Sequence, residues 1–289
     1  MSSIEFPHLG IRFDHVIQNI RIFSFPVAMY GITMALGILA GLGVASRIAK
    51  KTGQNPDDYT NIALLGIVLG LLGARIYYVV FSWDYYRLHP AEIIDLRGGG
   101  LALYGSLIGA VAAVLIYCTR KRLSIPLVLD TACLGMVTGQ IIGRWGNFFN
   151  REAFGEYTDN LLAMRLPLAD VRPDAVTERM REHEQVIGGE VFIQVHPTFL
   201  YESLWNLAVL VILLIITLRR KKQFDGEVFL WYLLLYGAGR FWIEGLRTDQ
   251  LLIPGTRIAV SQVLAAVLGI GAAVLIIVLR KRKKIKNTE

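Results

Sequence analysis

Long apolar runs alternate with shorter polar segments along the chain. Seven runs of about 17–24 residues carry few charged side chains, and we predict helices at 23–46, 60–81, 100–118, 125–143, 198–218, 227–244 and 258–279. A helix of this length crosses a hydrocarbon core of roughly 30 Å at about 1.5 Å per residue. The pattern therefore predicts an all-α polytopic membrane protein with seven transmembrane helices.

The longest polar segment, residues 151–197, lies between the fourth and fifth runs. Its pattern predicts a short helix after Pro173 and strands around 162–168 and 190–195. A segment this short rarely folds alone. We interpret it as a head insertion within one membrane-embedded domain that comprises residues 1–289.

The composition agrees with a membrane protein. Hydrophobic residues make up 54% of the chain, charged residues 18%, and the mean hydropathy is +0.48, whereas soluble domains carry about 25% charged residues. This excludes a soluble enzyme, a disordered chain and a disulfide scaffold. Cys118 and Cys133 lie in or beside apolar runs without a metal-ligand pattern around them, so we interpret them as small core residues. No metal or cofactor is expected.

All nine lysines lie in one of the two alternating sets of loops. These basic segments are Arg47/Lys50/Lys51, Arg120/Lys121/Arg122, Arg219/Arg220/Lys221/Lys222 and the tail from Arg280 to Lys286. Basic residues in short loops mark the cytoplasmic side. We therefore expect the N-terminus outside, the C-terminus in the cytoplasm and the head on the extracytoplasmic side. The net charge of +7 then serves contact with anionic lipid, and no nucleic-acid partner is expected.

Three arginines lie within an apolar run or at its end, and an arginine at bilayer depth costs about 2.5–3.5 kcal/mol on insertion scales. Arg75, Arg144 and Arg240 belong to the second, fourth and sixth runs, which all run outward in this topology. The residues expected at the same depth in the inward runs are Tyr30, Tyr104 and Glu202. Because the arginine fork suits phosphate, we predict a binding site for a phospholipid phosphate in the outer leaflet.

Each of these features also has a purely structural interpretation. Arg240 and Glu244 are four residues apart on a helix and could neutralise each other. Arg75 could extend to the headgroups, and the glycines of GRWGN and YGAGR could serve only close helix packing. Three arginines at one level favour the binding site over these interpretations taken together.

Several segments resemble the prolipoprotein diacylglyceryl transferase family. The most specific of them is GRWGNFFNREAFG (143–155), which is accompanied by HPTFLYE (196–202) and YGAGRFWIEGLR (236–247). The similarity extends to nearly every helix through AMYG (28–31), GARIYYV (73–79) and GGGLALYGSLIG (98–109). The resemblance implies a bacterial inner-membrane enzyme. Such an enzyme moves the diacylglyceryl group of phosphatidylglycerol onto the lipobox cysteine of a prolipoprotein signal peptide, forming a thioether and releasing glycerol-1-phosphate.

The resemblance also implies roles for individual residues. Arg144 matches the arginine that binds phosphatidylglycerol, and Arg240 matches a second arginine held to be essential. Further positions implicated in function match Tyr30, Asn147, Glu152, Gly155, Tyr236 and Glu244.

No general base is assigned. Tyr104 stands where some members of the family carry a histidine proposed as the base, and a tyrosine hydroxyl is normally a weaker acid than a thiol. The remaining histidine near a motif is His196, at the start of the fifth run. A structural role, in a turn or as a helix cap, would also explain it.

Other classes of protein fit the sequence less well. A transporter or lipid flippase would carry polar residues into the cytoplasmic half and repeat symmetry between halves, and we expect the polar groups to stop at one depth. A structural subunit would not need three arginines at that level. A phosphatidyltransferase of the alcohol type would need clustered aspartates for a metal, and Asp57, Asp58 and Asp225 are scattered.

Overall fold

The structure, a computed structural model, describes residues 3–95, 99–219, 221–256 and 258–286. Arg220 of the predicted basic loops lies outside these residues. The helices are α1 (Met29–Lys51), α2 (Pro56–Phe81), α3 (Trp83–Tyr86), α4 (Leu103–Lys121), α5 (Ile125–Gly143), α6 (Trp145–Asn150), α7 (Glu178–Glu182), α8 (Thr198–Leu218), α9 (Glu227–Glu244) and α10 (Val260–Lys286). The strands are β1 (Ile4–Phe6), β2 (Ile11–Phe13), β3 (Asn19–Ile22), β4 (Phe25–Ala28), β5 (Met164–Pro167), β6 (Gln185–Ile187) and β7 (Glu190–Val195).

The long elements are all helices, which confirms the helical, polytopic class. Six of those described are long and apolar enough to cross a membrane. The sixth predicted span, helix α9, has 18 residues and is the one that is not among these six. Its 18 residues include three charged side chains, Glu227, Arg240 and Glu244. Seven crossings therefore remain a prediction.

The boundary predicted for the first span was wrong. Residues 25–28 form strand β4, which pairs with β3 in the register Asn19↔Ala28, and helix α1 begins only at Met29. The helix then continues to Lys51, past the predicted end at residue 46. An apolar run does not by itself distinguish the strand from the helix that follows it.

A five-stranded antiparallel sheet, in the order β2-β1-β5-β7-β6, forms the head. The strands predicted around 162–168 and 190–195 correspond to β5 and β7, and the short helix predicted after Pro173 corresponds to α7. The N-terminal strand β1 joins this sheet beside β5 in the register Glu5↔Arg165. The head is thus built from two distant parts of the chain, which the sequence did not predict.

The core of the head continues into the short helix α6 and the start of the long helix α8. Buried Ile4, Leu166 and Ile193 from the sheet cluster with Phe148 of α6 and Phe199 of α8. The rings of Phe148 and Phe199 lie 5.3 Å apart, centroid to centroid. Burial of several large aromatic side chains at one place holds α6 and the start of α8 firmly.

The chain divides into two compact units, residues 1–41 with 133–289 and residues 42–132. In the second unit, α2 and α4 touch backbone to backbone. A Cβ atom on Gly73 would lie 2.3 Å from the carbonyl oxygen of Gly105, and one on Gly109 would lie 2.0 Å from that of Leu69. Glycine is required where two helices approach this closely.

Polar side chains also meet at the far end of α2 and α4, where α4 ends. Tyr117 donates a hydrogen bond to Asp58 at 2.8 Å, and Gln54 donates to Thr131 at 2.8 Å. The expectation that polar groups are confined to one level of the helices is therefore wrong. Short polar side chains at helix ends satisfy one another and the backbone there.

Candidate active site at the helix ends below the head

Arg144 lies at the turn between α5 and α6, where its backbone remains helical with φ −61° and ψ −24°. Its Nη2 atom lies 2.5 Å from Oε2 of Glu202, a residue one turn inside α8. The Arg144 side chain is 22% exposed and that of Glu202 only 5%. A carboxylate this deeply buried requires a partner of opposite charge.

Arg240, in the last turns of α9, contacts two carboxylates. Its Nη1 donates to Oε1 of Glu202 at 2.7 Å, and its Nη2 lies 2.6 Å from Oε2 of Glu244. Arg240 and Glu244 therefore do pair along the helix, as their spacing predicts. Glu202 nevertheless joins Arg240 to Arg144, with one carboxylate oxygen on each guanidinium.

Glu244 is held from several sides. Ser261, at the start of α10, donates to Oε1 at 2.7 Å, and Nη1 of Arg247 lies 3.6 Å from Oε2. Arg247 in turn donates to both oxygens of Asp249, at 2.9 and 2.8 Å.

Arg247, which is half-buried, and Asp249 hold each other in the charged state. Burial by itself would lower the pKa of Arg247, but the hydrogen bond and charge of Asp249 outweigh it and raise that pKa. Burial would likewise raise the pKa of Asp249, and the hydrogen bond from Arg247 instead lowers it. The pair is therefore a fixed ionic edge of the site.

The turn that follows Arg144 is closed by Asn147 and Glu152. Nδ2 of Asn147 donates to Oε1 of Glu152 at 3.0 Å. Between them the chain reverses through Arg151, whose φ of 52° is left-handed. The buried guanidinium of Arg151 donates to the carbonyl of Val16 at 2.6 Å, which ties this turn to the N-terminal segment.

Gly155 lies between two other segments of the chain. Its N–H donates to the carbonyl of His196 at 2.9 Å, and it forms an antiparallel bridge with Arg247. A Cβ atom at this position would lie 2.6 Å from the carbonyl oxygen of Leu246. Only glycine fits here, so Gly155 supports the placement of Arg247 through backbone contact.

Two tyrosines belong to the same unit. Tyr30, in the first turn of α1, packs against Gly146, where a Cβ atom would lie 2.7 Å from Cδ2 of the ring. Tyr236 of α9 lines a crevice together with Glu202 and Arg240. We call Arg144, Arg240 and Arg247 the arginine cluster. Tyr236 lies next to this cluster, and Tyr30 lies next to the turn that follows Arg144.

The contacts of His196 are with the head and α8. Its Nδ1 lies 3.2 Å from the hydroxyl of Tyr201 and 3.4 Å from Nδ2 of Asn160, and its backbone pairs with that of Gly155 and Glu156. Burial lowers the pKa of His196. These contacts agree with the turn-forming interpretation of this residue.

Arg75 belongs to the second unit and is 7% exposed. Its guanidinium donates to four backbone carbonyls at 2.5–3.0 Å and lies 5.2 Å from the ring centroid of Tyr86. The acceptors are Glu92, Ile93, Gly99 and Gly100. Arg75 therefore binds the segment between α2 and α4 through its backbone carbonyls.

Tyr104, in the first turn of α4, also belongs to the second unit. It is 43% exposed, and its ring centroid lies 6.4 Å from that of Tyr77. Arg75 and Tyr104 thus both belong to the second unit, whereas Arg144 and Arg240 belong to the first.

The structure adds residues that sequence reasoning missed. Arg247 lies three positions after Glu244, and this spacing on a helix end could have identified it. Ser261 and Asp249 reach the cluster from beyond the end of α9, and no local sequence signal indicates their contacts. Arg151 stands inside the most specific motif, yet its partner Val16 is 135 residues away.

The glycines of the two motifs make close packing contacts. Gly237 faces the backbone of α10, where a Cβ atom would lie 2.8 Å from the carbonyl oxygen of Ala265, and Gly239 faces the indole of Trp205. Both glycines therefore make the close helix contacts that the packing interpretation describes. The same contacts hold α8, α9 and α10 together around Arg240.

The arrangement can bind an anion. Arg144, Arg240 and Arg247 face the carboxylates of Glu202, Glu244 and Asp249 in a largely buried cluster. A planar guanidinium that presents two N–H groups to one phosphate forms charge-assisted hydrogen bonds. In a site with little water such interactions are stronger than at the surface.

A family model described as prolipoprotein diacylglyceryl transferase matches residues 18–278. A phosphatidylglycerol–prolipoprotein diacylglyceryl transferase of Clostridioides difficile (strain 630) is 41% identical over 263 residues, which cover 91% of this chain and 95% of the relative. The enzyme of the same name from Bacillus mycoides (strain KBAB4) is 40% identical over 262 residues, or 91% of each chain. That from Bacillus cereus (strain ATCC 14579) is 41% identical with the same coverage.

Proposed function

The chain belongs to the prolipoprotein diacylglyceryl transferase family, and we propose that Arg144 and Arg240 bind the phosphate of its lipid substrate. The protein is a membrane enzyme that transfers a diacylglyceryl group from phosphatidylglycerol to a prolipoprotein, the first step of lipoprotein maturation.

The single observation behind the phosphate site is the convergence of two guanidiniums on one carboxylate. Arg144 and Arg240 each place an Nη atom within 2.7 Å of Glu202. A carboxylate and a phosphate are recognised by the same fork geometry. Two arginines that can grip one carboxylate are therefore spaced to grip one phosphate.

The reaction follows from this placement. The thiolate of the acceptor cysteine attacks the glycerol carbon that carries the phosphate, a C–S bond forms, and the C–O bond to the phosphate breaks. The electron pair of that bond leaves with glycerol-1-phosphate, and the thiol proton passes to solvent. Negative charge grows on the phosphate as the bond breaks, so the arginines stabilise the transition state more than the bound lipid.

The same positive charge assists the nucleophile. A thiol must lose its proton before it attacks, and nearby cationic groups lower the pKa of a thiol. We assign the activation of the cysteine to this field and to no single base. Tyr236 and Asn147, which border the cluster, shape the space for the headgroup in this proposal.

The membrane placement completes the proposal. All nine lysines lie in one set of loops, which supports seven crossings with the N-terminus outside. The arginine cluster then faces the extracytoplasmic side of the inner membrane, where signal peptides arrive. We regard residues 1–289 as one domain with 151–197 as its head.

The test uses the purified full-length protein. It is incubated with phosphatidylglycerol in mixed micelles and with a synthetic peptide that carries a lipobox cysteine. We expect the peptide to gain the mass of one diacylglyceryl group and glycerol-1-phosphate to appear in equal amount. A peptide in which serine replaces that cysteine should stay unmodified; modification of the serine peptide would contradict the thiol as acceptor.

A further inference from the structure

Glu202 is held differently from the other carboxylate that contacts Arg240. Glu244 also accepts from Ser261 and lies near Arg247. Among the described residues, Glu202 has ion pairs only with Arg144 and Arg240. If one carboxylate is to leave the arginines, Glu202 therefore loses fewer partners than Glu244.

Glu202 competes with a phosphate for one terminal nitrogen of each arginine. Both terminal nitrogens of Arg240 are engaged, one by Glu202 and one by Glu244. Arg144 directs its Nη2 at Glu202 as well. A phosphate that engages both terminal nitrogens of Arg240, or Nη2 of Arg144, therefore competes there with a carboxylate oxygen.

A buried donor lies one turn further along α8. Asn206 is 2% exposed, and its Nδ2 has no hydrogen-bond partner. It is four residues after Glu202, on the same face of the helix, and lines the same crevice as Glu202 and Arg240. A buried amide without a hydrogen-bond partner lowers stability, which calls for an explanation such as a partner that it binds in a second state of the site.

We propose that Glu202 is an exchangeable internal anion that the substrate phosphate displaces from Arg144 and Arg240, and that Asn206 then accepts its carboxylate. This inference rests on the proposed function and adds a positioning role that the function does not require. Glu202 keeps the two guanidiniums aligned. On its return it expels glycerol-1-phosphate, whose second negative charge would otherwise bind the arginines tightly.

The exchange predicts that removal of the competing charge strengthens phosphate binding. Displacing Glu202 breaks two charge-assisted contacts, which corresponds to roughly a ten- to hundredfold lower affinity for the incoming anion. Glu202→Gln should therefore bind glycerol-1-phosphate about ten- to a hundredfold more tightly than the wild type. Turnover should fall because product leaves slowly, while KM for phosphatidylglycerol also falls.

The measurement is calorimetric titration of the full-length protein in detergent with glycerol-1-phosphate, repeated with inorganic phosphate. A second arm measures the dependence of peptide modification on phosphatidylglycerol in mixed micelles. Unchanged or weaker binding of glycerol-1-phosphate by Glu202→Gln would overturn the exchange. Weaker binding is the expected result if Glu202 stays in place and merely aligns the arginines.

Asn206→Leu supplies an independent test, because leucine is close to asparagine in size but offers no donor. It should weaken the binding of glycerol-1-phosphate about tenfold in the wild-type background. In the Glu202→Gln background the same substitution should have no effect, since no charged carboxylate then needs the amide. Equal losses in both backgrounds would contradict the proposal even if Glu202→Gln folded poorly.

A control variant separates the exchange from the general loss of a buried ion pair. Glu227, at the opposite end of α9, is fully buried and paired with Arg280. Glu227→Gln should leave the affinity for glycerol-1-phosphate unchanged. A wild-type protein that modifies the peptide, together with an unaltered affinity in Glu202→Gln, would defeat only the exchange. A wild-type protein that neither modifies the peptide nor binds glycerol-1-phosphate would defeat the proposed function.

Discussion

Gly146 brings the turn that carries Arg144 against the start of α1. A Cβ atom on Gly146 would lie 2.7 Å from the ring of Tyr30 and 2.9 Å from Oγ1 of Thr33. Since this space is already filled, Gly146→Ala should lower the free energy of unfolding by about 1–3 kcal/mol. It should also reduce transferase activity, because α6 must shift together with Arg144.

The measurement is thermal unfolding in detergent together with peptide modification. Gly31→Ala is the matched control, because Gly31 lies two residues from Thr33 in α1 and a Cβ atom there would meet nothing within 4 Å. That variant should unfold within about 0.5 kcal/mol of the wild type, or be slightly more stable. Equal stability of Gly146→Ala and Gly31→Ala would show that the turn does not depend on this contact.

Single residues of the site could be predicted where a charged side chain stands in or at the end of an apolar run. Charged residues inside apolar runs indicated Arg144, Arg240 and Glu202, and the structure brings these three together. The partners that complete the cluster were not predictable, because Ser261 and Asp249 are ordinary polar residues near a helix end. The same rule also selected Arg75, whose partners are backbone carbonyls of a loop.

The loop between α2 and α4 depends on Arg75. Its guanidinium donates to four carbonyls from two separate parts of that loop. Arg75→Gln removes most of these contacts, so amide exchange in residues 83–95 should accelerate at least tenfold. Arg75→Lys should not restore protection, since an ammonium group lacks the planar fork.

Hydrogen–deuterium exchange measured by mass spectrometry tests this dependence. Arg87→Gln is the control, because Arg87 lies in the same loop and its Nη2 pairs at 3.4 Å with Oδ1 of Asp84, an exposed aspartate. Such a surface ion pair contributes little to stability, so amide exchange in residues 83–95 should not change in Arg87→Gln. If amide exchange in the loop were as slow in Arg75→Lys as in the wild type, the four hydrogen bonds of the guanidinium would not be what protects the loop.

At the level of elements, the membrane helices were predictable and the sheet only in part. Helices carry their signal locally, in runs of apolar residues, and α5, α8 and α9 match the predicted bounds. Strand β1 pairs with β5, far away in the chain, through the register Glu5↔Arg165. Pairing over such a separation leaves no periodic signal in the N-terminal residues, so the strand could not be predicted there.

At the scale of the whole molecule, the distribution of the lysines predicts on which side of the membrane each loop lies. A cysteine at position 160, in the head, should react with an impermeant thiol reagent in intact cells. A cysteine at position 221, in a lysine-bearing loop, should react only after the cells are opened. Residues 160 and 221 are both exposed in the structure.

The natural cysteines provide the background for this labelling, since Cys118 and Cys133 are both buried. The wild-type protein should therefore remain unlabelled. Labelling at position 221 but not at position 160 in intact cells would show that the protein has the opposite orientation in the membrane. The arginine cluster would then face the cytoplasmic leaflet, and the proposed placement of the reaction would be wrong.

The central claim is that Arg144 grips the lipid phosphate with its fork, and kinetics of Arg144 variants test it most directly. Arg144→Lys keeps the charge and loses the second hydrogen bond, while Arg144→Ala loses both. One charged hydrogen bond is worth about 1.5–3 kcal/mol, so the lysine variant should transfer roughly 10- to 150-fold more slowly. The alanine variant should be slower still.

The loss should appear in kcat as well as in KM, because the charge on the phosphate grows in the transition state. Peptide modification is measured across a titration of phosphatidylglycerol, after each variant has been checked for a single monodisperse species in detergent. Arg181→Lys, an exposed arginine of the head that lies 3.8 Å from Glu184, should match the wild type. Wild-type kcat in a well-folded Arg144→Ala protein would contradict the account.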